Sequence, residues 1–451
     1  MSEASPRPVD ALVAEIGSTT TVVSAFSGLA EWPAATPAML AQGVAATSVA
    51  GGDVTIGVGA ARADLEAALG APVAPRLTLA TSSAAGGLRM TVHGLTQRMT
   101  AMAAREAALG AGAVVRYQTA GRLRPHDLRE IDAVRPNLIL LAGGVEGGDC
   151  DTILFNAEEL AKLAARPTVV YAGNSAVRGD AAEMLERAGF TVRPTSNVYP
   201  AVDELDILPA RHAIQDAFEE HITHAPGMER IGEVVNGAIL PTPGAVLLAA
   251  ELLAEEAGDL VVVDVGGATT DVHSVTDGSP ELAALAIEPQ PHSKRTVEGD
   301  LGTYVSAPHV AEMLAAQERP VHLPPALPRT DEEVAAAVTL AHFAAVTGVQ
   351  RHAGELSHLY TPTGRQTVAR GRDLTACRLV VGTGGALTRL PGGAALLGDV
   401  RAKGGGGERL LPPPDARVVL DRDYVFACCG VLLRHFAPRA VEALLRASAG
   451  L

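Results

Sequence analysis

The sequence predicts an α/β protein built from parallel sheets with crossover helices, and three observations support this fold class. Apolar runs typical of strands alternate with segments that have the pattern of helices. Glycine-rich segments follow the apolar runs at 13–21, 138–148, 261–272 and 379–390. The chain has 451 residues and is 47% apolar, so roughly two or three domains can each bury a core.

Charge, hydropathy and cysteine content exclude several classes of protein. The formal net charge is −15 and the chain has no run of Lys or Arg, which argues against a nucleic-acid partner. The N-terminus lacks the regions of a signal peptide, and no apolar run reaches the roughly 18–20 residues of a membrane span. We therefore expect a cytoplasmic protein with no membrane contact. Cys150, Cys377, Cys428 and Cys429 have no metal-site spacing and are expected to be reduced thiols.

The first half of the chain reads as strands joined by turns and helices. Strand 9–16 ends at Gly17 and a second strand follows at 21–26, so the first glycine segment is predicted to be a hairpin turn. Helices are predicted at 95–109 and 180–188, because a glycine follows each of them closely. The remaining predicted strands are 76–81, 88–92, 113–118, 138–142, 168–171 and 191–194.

In the second half, helix 241–258 has the clearest signals, with Thr242 as N-cap and a glycine at its end. It leads directly into strand 261–265 and is predicted to connect two domains. Thr330 and Glu333 have capping-box spacing, which predicts another long helix over 329–348. Segment 424–447 has a helical pattern that Pro438 is expected to kink or split. Segments 319–329 and 401–414 are too rich in proline and glycine for regular structure.

Segment 261–272 carries the chemistry that is most specific. A buried strand ends at Asp264, and Gly266 and Gly267 then turn the chain tightly enough for backbone N–H groups to face an anion. Thr269 and Thr270 add hydroxyl groups, so the turn is predicted to bind phosphate. A carboxylate beside phosphates needs a cation, which points to Mg²⁺ held largely through water. Asp271 could orient the attacking water or support the loop. Taken alone, the segment fits an ordinary tight β-hairpin with a solvent-facing Asp better than a phosphate-binding turn.

Two other segments make the phosphate interpretation stronger. Residues 13–21 repeat the strand–turn–strand pattern, with Glu15 at the strand end. Residues 382–390 follow a strand and open a helix, so their glycines would let a purine or ribose approach the backbone. The residues predicted to contact the nucleotide in these two segments are Gly17, Ser18, Thr19, Thr20, Gly382, Gly384 and Gly385. Together the three segments indicate a nucleotide clamp divided between two domains.

At this level of detail the chain resembles the superfamily of actin, the sugar kinases and the heat-shock chaperone ATPases. More narrowly, it resembles the MutL-type (GlmL) proteins that accompany cobalamin-dependent glutamate mutase and are unrelated to the mismatch-repair protein of that name. The segments that carry the resemblance are 12–23, 81–90, 138–148, 241–253, 264–275, 295–307 and 381–391, with RTVEGDLG and TSSAAGGL the most specific. They span essentially the whole chain.

The resemblance implies two ribonuclease-H-like (actin-like ATPase) domains that close on ATP and Mg²⁺. We expect the first domain at 1–240, the connector helix at 241–258, the second domain at 259–423 and C-terminal helices at 424–451 that could pack back on the first domain. The implied function is reactivation of an adenosylcobalamin-dependent carbon-skeleton mutase, with the mutase subunits as partners. Homo-oligomerisation is left open.

The resemblance also implies roles for individual residues. Asp264 and Glu15 would hold Mg²⁺ and its waters, and Asp271 is a further candidate for catalysis. The superfamily commonly has Asp where this chain has Glu15, and Lys at or near Thr21. These departures leave open whether ATP is hydrolysed slowly or only bound.

Other functions remain open from the sequence. A small-metabolite kinase of the same superfamily would share the fold, but no catalytic Asp in a substrate pocket could be identified. A hydantoinase or oxoprolinase subunit fits the N-terminal and RTVEGDLG segments poorly, and a filament-forming protein would polymerise with ATP. The charged stretch around Lys294, Arg295 and Asp300 is either a solvated loop or a lip over the nucleotide cleft.

Overall fold

The computed structural model describes residues 5–84, 87–362, 364–403 and 408–451. Within these ranges the strands are β1 (Arg7–Ile16), β2 (Thr20–Ser27), β3 (Ala38–Ala46), β4 (Val73–Ser82), β5 (Arg89–Gly94), β6 (Val114–Ala120), β7 (Leu138–Leu141), β8 (Thr168–Tyr171), β9 (Val192–Pro194), β10 (Ile239–Pro241), β11 (Leu260–Val265), β12 (Thr270–Val275), β13 (Ser293–Glu298), β14 (Glu355–Thr361), β15 (Gly364–Arg370), β16 (Leu379–Thr383) and β17 (Arg417–Leu420). The helices are α1 (Val54–Leu69), α2 (Thr100–Gly110), α3 (Pro125–Val134), α4 (Asp151–Leu160), α5 (Arg178–Arg187), α6 (Leu208–Ile222), α7 (Thr242–Ala257), α8 (Pro280–Ala283), α9 (Ala307–Ala315), α10 (Asp331–His352), α11 (Gly385–Thr388), α12 (Gly393–Leu396), α13 (Phe426–Leu432) and α14 (Pro438–Ala449).

The chain divides into two compact units, one formed by 1–84 with 230–451 and the other by 85–229. The second of these lies entirely within the range expected for the first domain. The predicted boundary near 240 falls where β10 leads into α7. The division into functional domains at these positions stays a prediction.

In the first unit, two five-stranded sheets have one topology, with the orders β3-β2-β1-β4-β10 and β13-β12-β11-β16-β17. In the first sheet β2 is antiparallel to β1 and β3, while β4 and β10 run parallel to β1. In the second sheet β12 is antiparallel to β11 and β13, while β16 and β17 run parallel to β11. This order, 3-2-1-4-5, is that of ribonuclease-H-like domains. Its occurrence in both halves confirms the predicted fold class, although the two halves share no recognisable sequence repeat.

The central strands explain why the sequence pattern was informative. β1 and β11 each have neighbours on both sides in their sheets and are mostly buried. Strands buried on both faces need nearly continuous apolar sequence, which 11–14 and 260–263 supply. Each of these strands ends at a glycine turn that reverses the chain into an antiparallel partner. Both turns therefore lie at the carboxyl end of a central strand.

One hydrophobic core joins both sheets of this unit. Val13 of the first sheet and Val262 of the second belong to the same buried cluster as residues of α7, α13 and α14. Helix α13 approaches α7 so closely that a Cβ atom on Gly430 would overlap the carbonyl oxygen of Ala245. The predicted connector helix is thus part of a core shared by the two halves.

A second core covers the other face of the second sheet, where α9 and α10 pack. Thr330 accepts a hydrogen bond from the backbone of Glu333, and the Glu333 carboxylate reaches back to the backbone of Thr330, which confirms the predicted capping box. By length and composition α10 could cross a membrane, and it is the one such helix among the described residues. Its apolar residues, including Leu340 and Ala344, pack in this core, which accounts for that composition.

Several helix boundaries differ from the prediction, and three of them are at helix starts with a local cause. The predicted start at Leu95 is wrong, because the Thr100 hydroxyl accepts hydrogen bonds from the backbone of residues 95 and 96 and holds them in a turn before α2. Thr242 is the first residue of α7 and Pro241 its N-cap, one residue earlier than predicted. The C-terminal segment splits at Pro438 as expected, but the first helix begins only at Phe426.

The second unit contains one parallel sheet with the order β6-β5-β7-β8-β9. Numbered along this unit, the order is 2-1-3-4-5, which is a doubly wound arrangement. The predicted strands of this region are all present, with boundaries that differ by a few residues. Residues 85 and 86 of the segment 81–90, and 404–407 of the predicted loop 401–414, lie outside the described residues.

Candidate functional site

A cavity of about 340 Å³ in the first unit is lined by three glycine turns. The first turn follows β1, the second joins β11 to β12, and the third follows β16. The predicted site residues that line the cavity are Glu15, Gly17, Ser18, Thr19, Thr20, Asp264, Gly266, Gly267, Thr269, Asp271, Gly384 and Gly385. The structure therefore brings residues from both halves of the chain to one place.

Two predicted site residues do not line this cavity. Thr270 is fully buried in β12, and its methyl group lies against Gly348 of α10. Gly382 lies within β16, where a Cβ atom would meet the side chains of Leu397 and Leu420. Both positions lie within strands beneath the turns. The strand directs the Thr270 side chain away from the cavity, and the side chains of Leu397 and Leu420 pack against Gly382.

The first two turns share a construction, in which the amides of Gly17 and Gly266 donate to the carbonyls of Thr20 and Thr269 at 3.0 and 2.9 Å. In the first turn, the Gly17 carbonyl accepts the Thr47 hydroxyl at 2.8 Å, and the Thr19 carbonyl accepts the Thr47 amide at 3.0 Å. In the second turn, the Gly267 carbonyl accepts the amides of Tyr304 and Val305 at 2.9 and 2.7 Å. These contacts fix the shape of both turns, which line the cavity where an anion would bind.

The two turns face each other across the cavity. A Cβ atom on Gly267 would lie 3.3 Å from the Thr19 hydroxyl. The third turn lies beside the second, because Gly384 has φ +85° and a Cβ atom there would overlap Asp264 Oδ1. A side chain at 384 would be strained by its backbone and would also displace the carboxylate.

The carboxylates of the cavity are electrostatically crowded. Burial raises the pKa of Glu15 to about 7, although a hydrogen bond from Tyr424 opposes the rise. Burial also raises the pKa of Asp264 well above its usual value, and the charges of Asp271, Glu15 and Asp421 add to the rise. A cation placed among these groups would relieve the repulsion, so the donor set fits Mg²⁺. The described residues include no group of three or more acidic, His or Cys side chains that could ligate a metal together, so the ion would keep most of its waters.

Three residues of the site were not predicted from the sequence. The Tyr424 hydroxyl donates to Glu15 Oε1 at 2.6 Å, and the Arg389 guanidinium lies 5.6 Å from the centre of the Tyr424 ring. Tyr424 has φ +53°, an uncommon backbone conformation for a bulky residue. Asp421 is buried and accepts the Thr383 hydroxyl at 2.9 Å. The GTGGALTRL pattern could have drawn attention to Arg389, but nothing local indicates a contact between Tyr424 and a residue 409 positions away.

Asp271 is held by a buried ion pair. Arg295 Nε and Nη2 donate to Asp271 Oδ1 at 2.7 and 2.6 Å, and both side chains are almost fully buried. The Thr269 hydroxyl donates to the other oxygen, Oδ2, at 3.1 Å. Arg295 lies in β13, so the charged stretch is neither a solvated loop nor a free lip at this position. Asp300 and Glu298, by contrast, pair with the exposed Arg351.

The glycine segment 138–148 belongs to the other compact unit. It consists of β7 and a turn in which Gly143 and Gly144 have φ +149° and +69°. The fully buried Asn174 accepts from the Gly147 amide at 3.3 Å and donates to the Gly148 carbonyl at 3.2 Å. The segment is thus a turn closed by hydrogen bonds within its own unit.

Comparison with known proteins decides the family. The family model described as "MutL protein" matches residues 11–448. Protein MutL of Clostridium tetanomorphum is 36% identical over 394 residues, which cover 81% of this chain and 84% of that protein. The chain belongs to the MutL family. This result confirms the family predicted from the sequence, and the cavity described above is a feature of a MutL family member.

Two solved structures are distantly similar to this MutL family member. A nucleotide-free acetone carboxylase matches with a TM-score of 0.36 and 13% identity, over 94% of this chain and 70% of that one. A diol dehydratase-reactivating factor in nucleotide-free form matches with a TM-score of 0.34 and 11% identity, over 94% and 99%. Similarity at this level supports no argument about function, and the fold is assigned here from the strand order of the chain itself.

Proposed function

We propose that the protein is an ATP-binding accessory protein that reactivates an adenosylcobalamin-dependent carbon-skeleton mutase of the glutamate or methylaspartate type. The observation that carries this proposal is the cavity itself, in which two glycine turns and two crowded carboxylates meet in a MutL family member. ATP and ADP would be its ligands and the mutase subunits its partners.

The cavity supports one arrangement of the nucleotide. The Gly267 amide and the hydroxyls of Ser18 and Thr19 would bind phosphate oxygens, while the Gly266 amide donates to the Thr269 carbonyl at 2.9 Å. The third turn, at Gly384 and Gly385, would lie against the adenosine, where the missing side chains permit close approach.

Glu15 and Asp264 would hold Mg²⁺ through its waters, and the bound ion would neutralise phosphate charge. The fit is electrostatic, because burial and neighbouring carboxylates raise the pKa of both groups, and a bound cation would favour their ionised forms. The longer Glu15 side chain, already held by Tyr424, is compatible with slow hydrolysis or with binding alone. Either would suit a switch better than a metabolic enzyme.

Nucleotide would act by closing the two halves on each other. Phosphate contacts from both halves favour the closed arrangement, and a ligand shifts an equilibrium by its difference in affinity for the two states. A protein that alternates between two such arrangements could loosen mutase subunits so that a damaged cofactor exchanges for an intact one.

The test is recovery of mutase activity. Glutamate mutase inactivated by loss of its adenosyl group would be mixed with fresh adenosylcobalamin, Mg²⁺–ATP and this protein. We expect recovery with the wild type, none with Asp264→Asn, and recovery with Asp415→Asn, whose carboxylate is 77% exposed and remote in sequence from the three turns. No recovery together with no binding to either mutase subunit would reject the function. ATP-dependent phosphorylation of a small metabolite would support the kinase alternative instead.

A further inference from the structure

The phosphate turn between β11 and β12 contains a hydroxyl group whose hydrogen is already committed. Thr269 Oγ1 donates to Asp271 Oδ2 at 3.1 Å. An ionised carboxylate can only accept hydrogen bonds, so the threonine must be the donor in this contact. A hydroxyl has a single hydrogen, and Thr269 therefore presents only lone pairs to any other partner.

The neighbouring arginine provides Asp271 with a charged partner. Asp271 Oδ1 accepts two hydrogen bonds from Arg295, whose guanidinium is always charged, and the two side chains are 7% and 2% exposed. Arg295 faces His273 in the register of β12 and β13, so it reaches Asp271 along the diagonal between neighbouring strands. Each oxygen of Asp271 thus has a fixed partner.

We propose that Arg295 and Asp271 are positioning residues that fix the Thr269 hydroxyl as a hydrogen-bond acceptor facing the nucleotide cavity, so that Thr269 binds a water molecule and not a phosphate oxygen. This inference rests on the proposed nucleotide site. It assigns to Thr269 a partner that can donate, which a phosphate oxygen without a proton cannot do.

The construction of the turn supports this role. Thr269 lines the cavity, while its own carbonyl accepts the Gly266 amide at 2.9 Å. Its position is therefore set by the backbone of the turn and the orientation of its hydroxyl by Asp271. Phosphate binding would remain the task of the Gly267 amide in the same turn, because the Gly266 amide already donates to Thr269.

The decisive measurement compares ATP with adenosine. Calorimetric affinities for both ligands would be determined for the wild type, Thr269→Val, Asp271→Asn and the double variant. For Thr269→Val we expect the ATP-to-adenosine affinity ratio to stay within about threefold of wild type, because no donor to phosphate is lost. If Thr269 donated to phosphate, that ratio would fall by about tenfold or more.

Asp271→Asn makes a sharper and opposite prediction. The asparagine oxygen can still face Arg295, and its amide can donate to Thr269, which frees the threonine hydrogen to donate into the cavity. We therefore expect the ATP-to-adenosine affinity ratio of Asp271→Asn to be several-fold higher than that of the double variant. The double variant carries the same loss of charge without the hydroxyl, so equal ratios in the two would overturn the inference.

The outcomes separate this inference from the proposed function. A wild type that binds neither ATP nor adenosine would reject the nucleotide site itself. A wild type that binds both, with a Thr269→Val variant that loses ATP affinity selectively, would reject only the role given to Thr269. Should Asp271→Asn fail to fold because Arg295 is left with a neutral partner, Thr269→Val alone still decides between the two roles.

Discussion

Replacing Glu15 by glutamine should make the protein less sensitive to pH, and the size of the effect follows from the raised pKa. The pKa of Glu15 rises from its usual 4.5 to about 7 in the folded protein. A group that binds its proton more tightly when folded stabilises the fold at low pH, and this contribution is lost as the pH rises from 4.5 to about 7. The rise corresponds to about 3 kcal/mol of unfolding free energy. Glutamine does not titrate, so the variant should lose none of this stability as the pH rises.

The measurement is urea denaturation of wild type and Glu15→Gln at several values between about pH 5 and about pH 8, without nucleotide or Mg²⁺. Fluorescence of Trp32, the only tryptophan, reports on the unit that contains the site. We expect the stability of the variant relative to wild type to grow by about 2–3 kcal/mol across this window.

Asp415→Asn is the matched control, because its carboxylate is largely exposed and solvent screens its charge. The pH dependence of Glu15→Gln is compared with that of this variant. Saturating Mg²⁺–ATP should reduce the pH dependence of the wild type, since a bound cation favours the charged form of Glu15. A difference between Glu15→Gln and wild type that stays constant within about 1 kcal/mol over the window would refute the assignment of a raised pKa to this residue.

Two further predictions concern glycines that permit close approach. Gly384→Ala should lower ATP affinity by at least about tenfold in calorimetry, because a Cβ atom would overlap Asp264 Oδ1 and φ +85° strains any other L-residue; an unchanged affinity would contradict the placement of this turn. Gly430→Ala should lower the unfolding free energy by about 1–3 kcal/mol, because its Cβ atom would overlap the Ala245 carbonyl. The control Gly59→Ala places a Cβ atom in open space on a helix and should raise the unfolding free energy by up to about 1 kcal/mol. Equal changes in the two variants would reject the packing of α13 on α7.

The fold and the three turns were predictable because their signals are local. A strand buried on both faces must be apolar nearly throughout, and 260–263 meets this requirement without any knowledge of its neighbours. The glycines at 266 and 267 then mark the reversal of the chain. An apolar strand followed by a glycine turn occurs again around Glu15 and Gly384. Three weak local signals in the right order were therefore enough to predict a shared cavity.

The partners of these residues were not predictable, because they come from distant parts of the sequence. Tyr424 was assigned to the start of a helix, and its contact with Glu15 depends on how α13 packs in the core. Arg295 belongs to a stretch of charges that resembles a solvated surface. It is buried because one specific carboxylate, on the neighbouring strand, compensates it. No periodicity or composition reveals such a pair.

The unpredicted residues also connect the cavity to the core that joins both sheets. Asp421 accepts the hydroxyl of Thr383 at the end of β16 and the amides of Val425 and Phe426, the latter the first residue of α13. Helix α13 packs on α7 within the core to which both sheets contribute. A ligand that moves β16 or Tyr424 must therefore also act on the helix pair that links the halves. Because that core is close-packed, we expect a displacement at the cavity to shift α13 against α7. The proposed nucleotide-driven closure requires this kind of connection between the cavity and the core, and residues 421–426 would provide it.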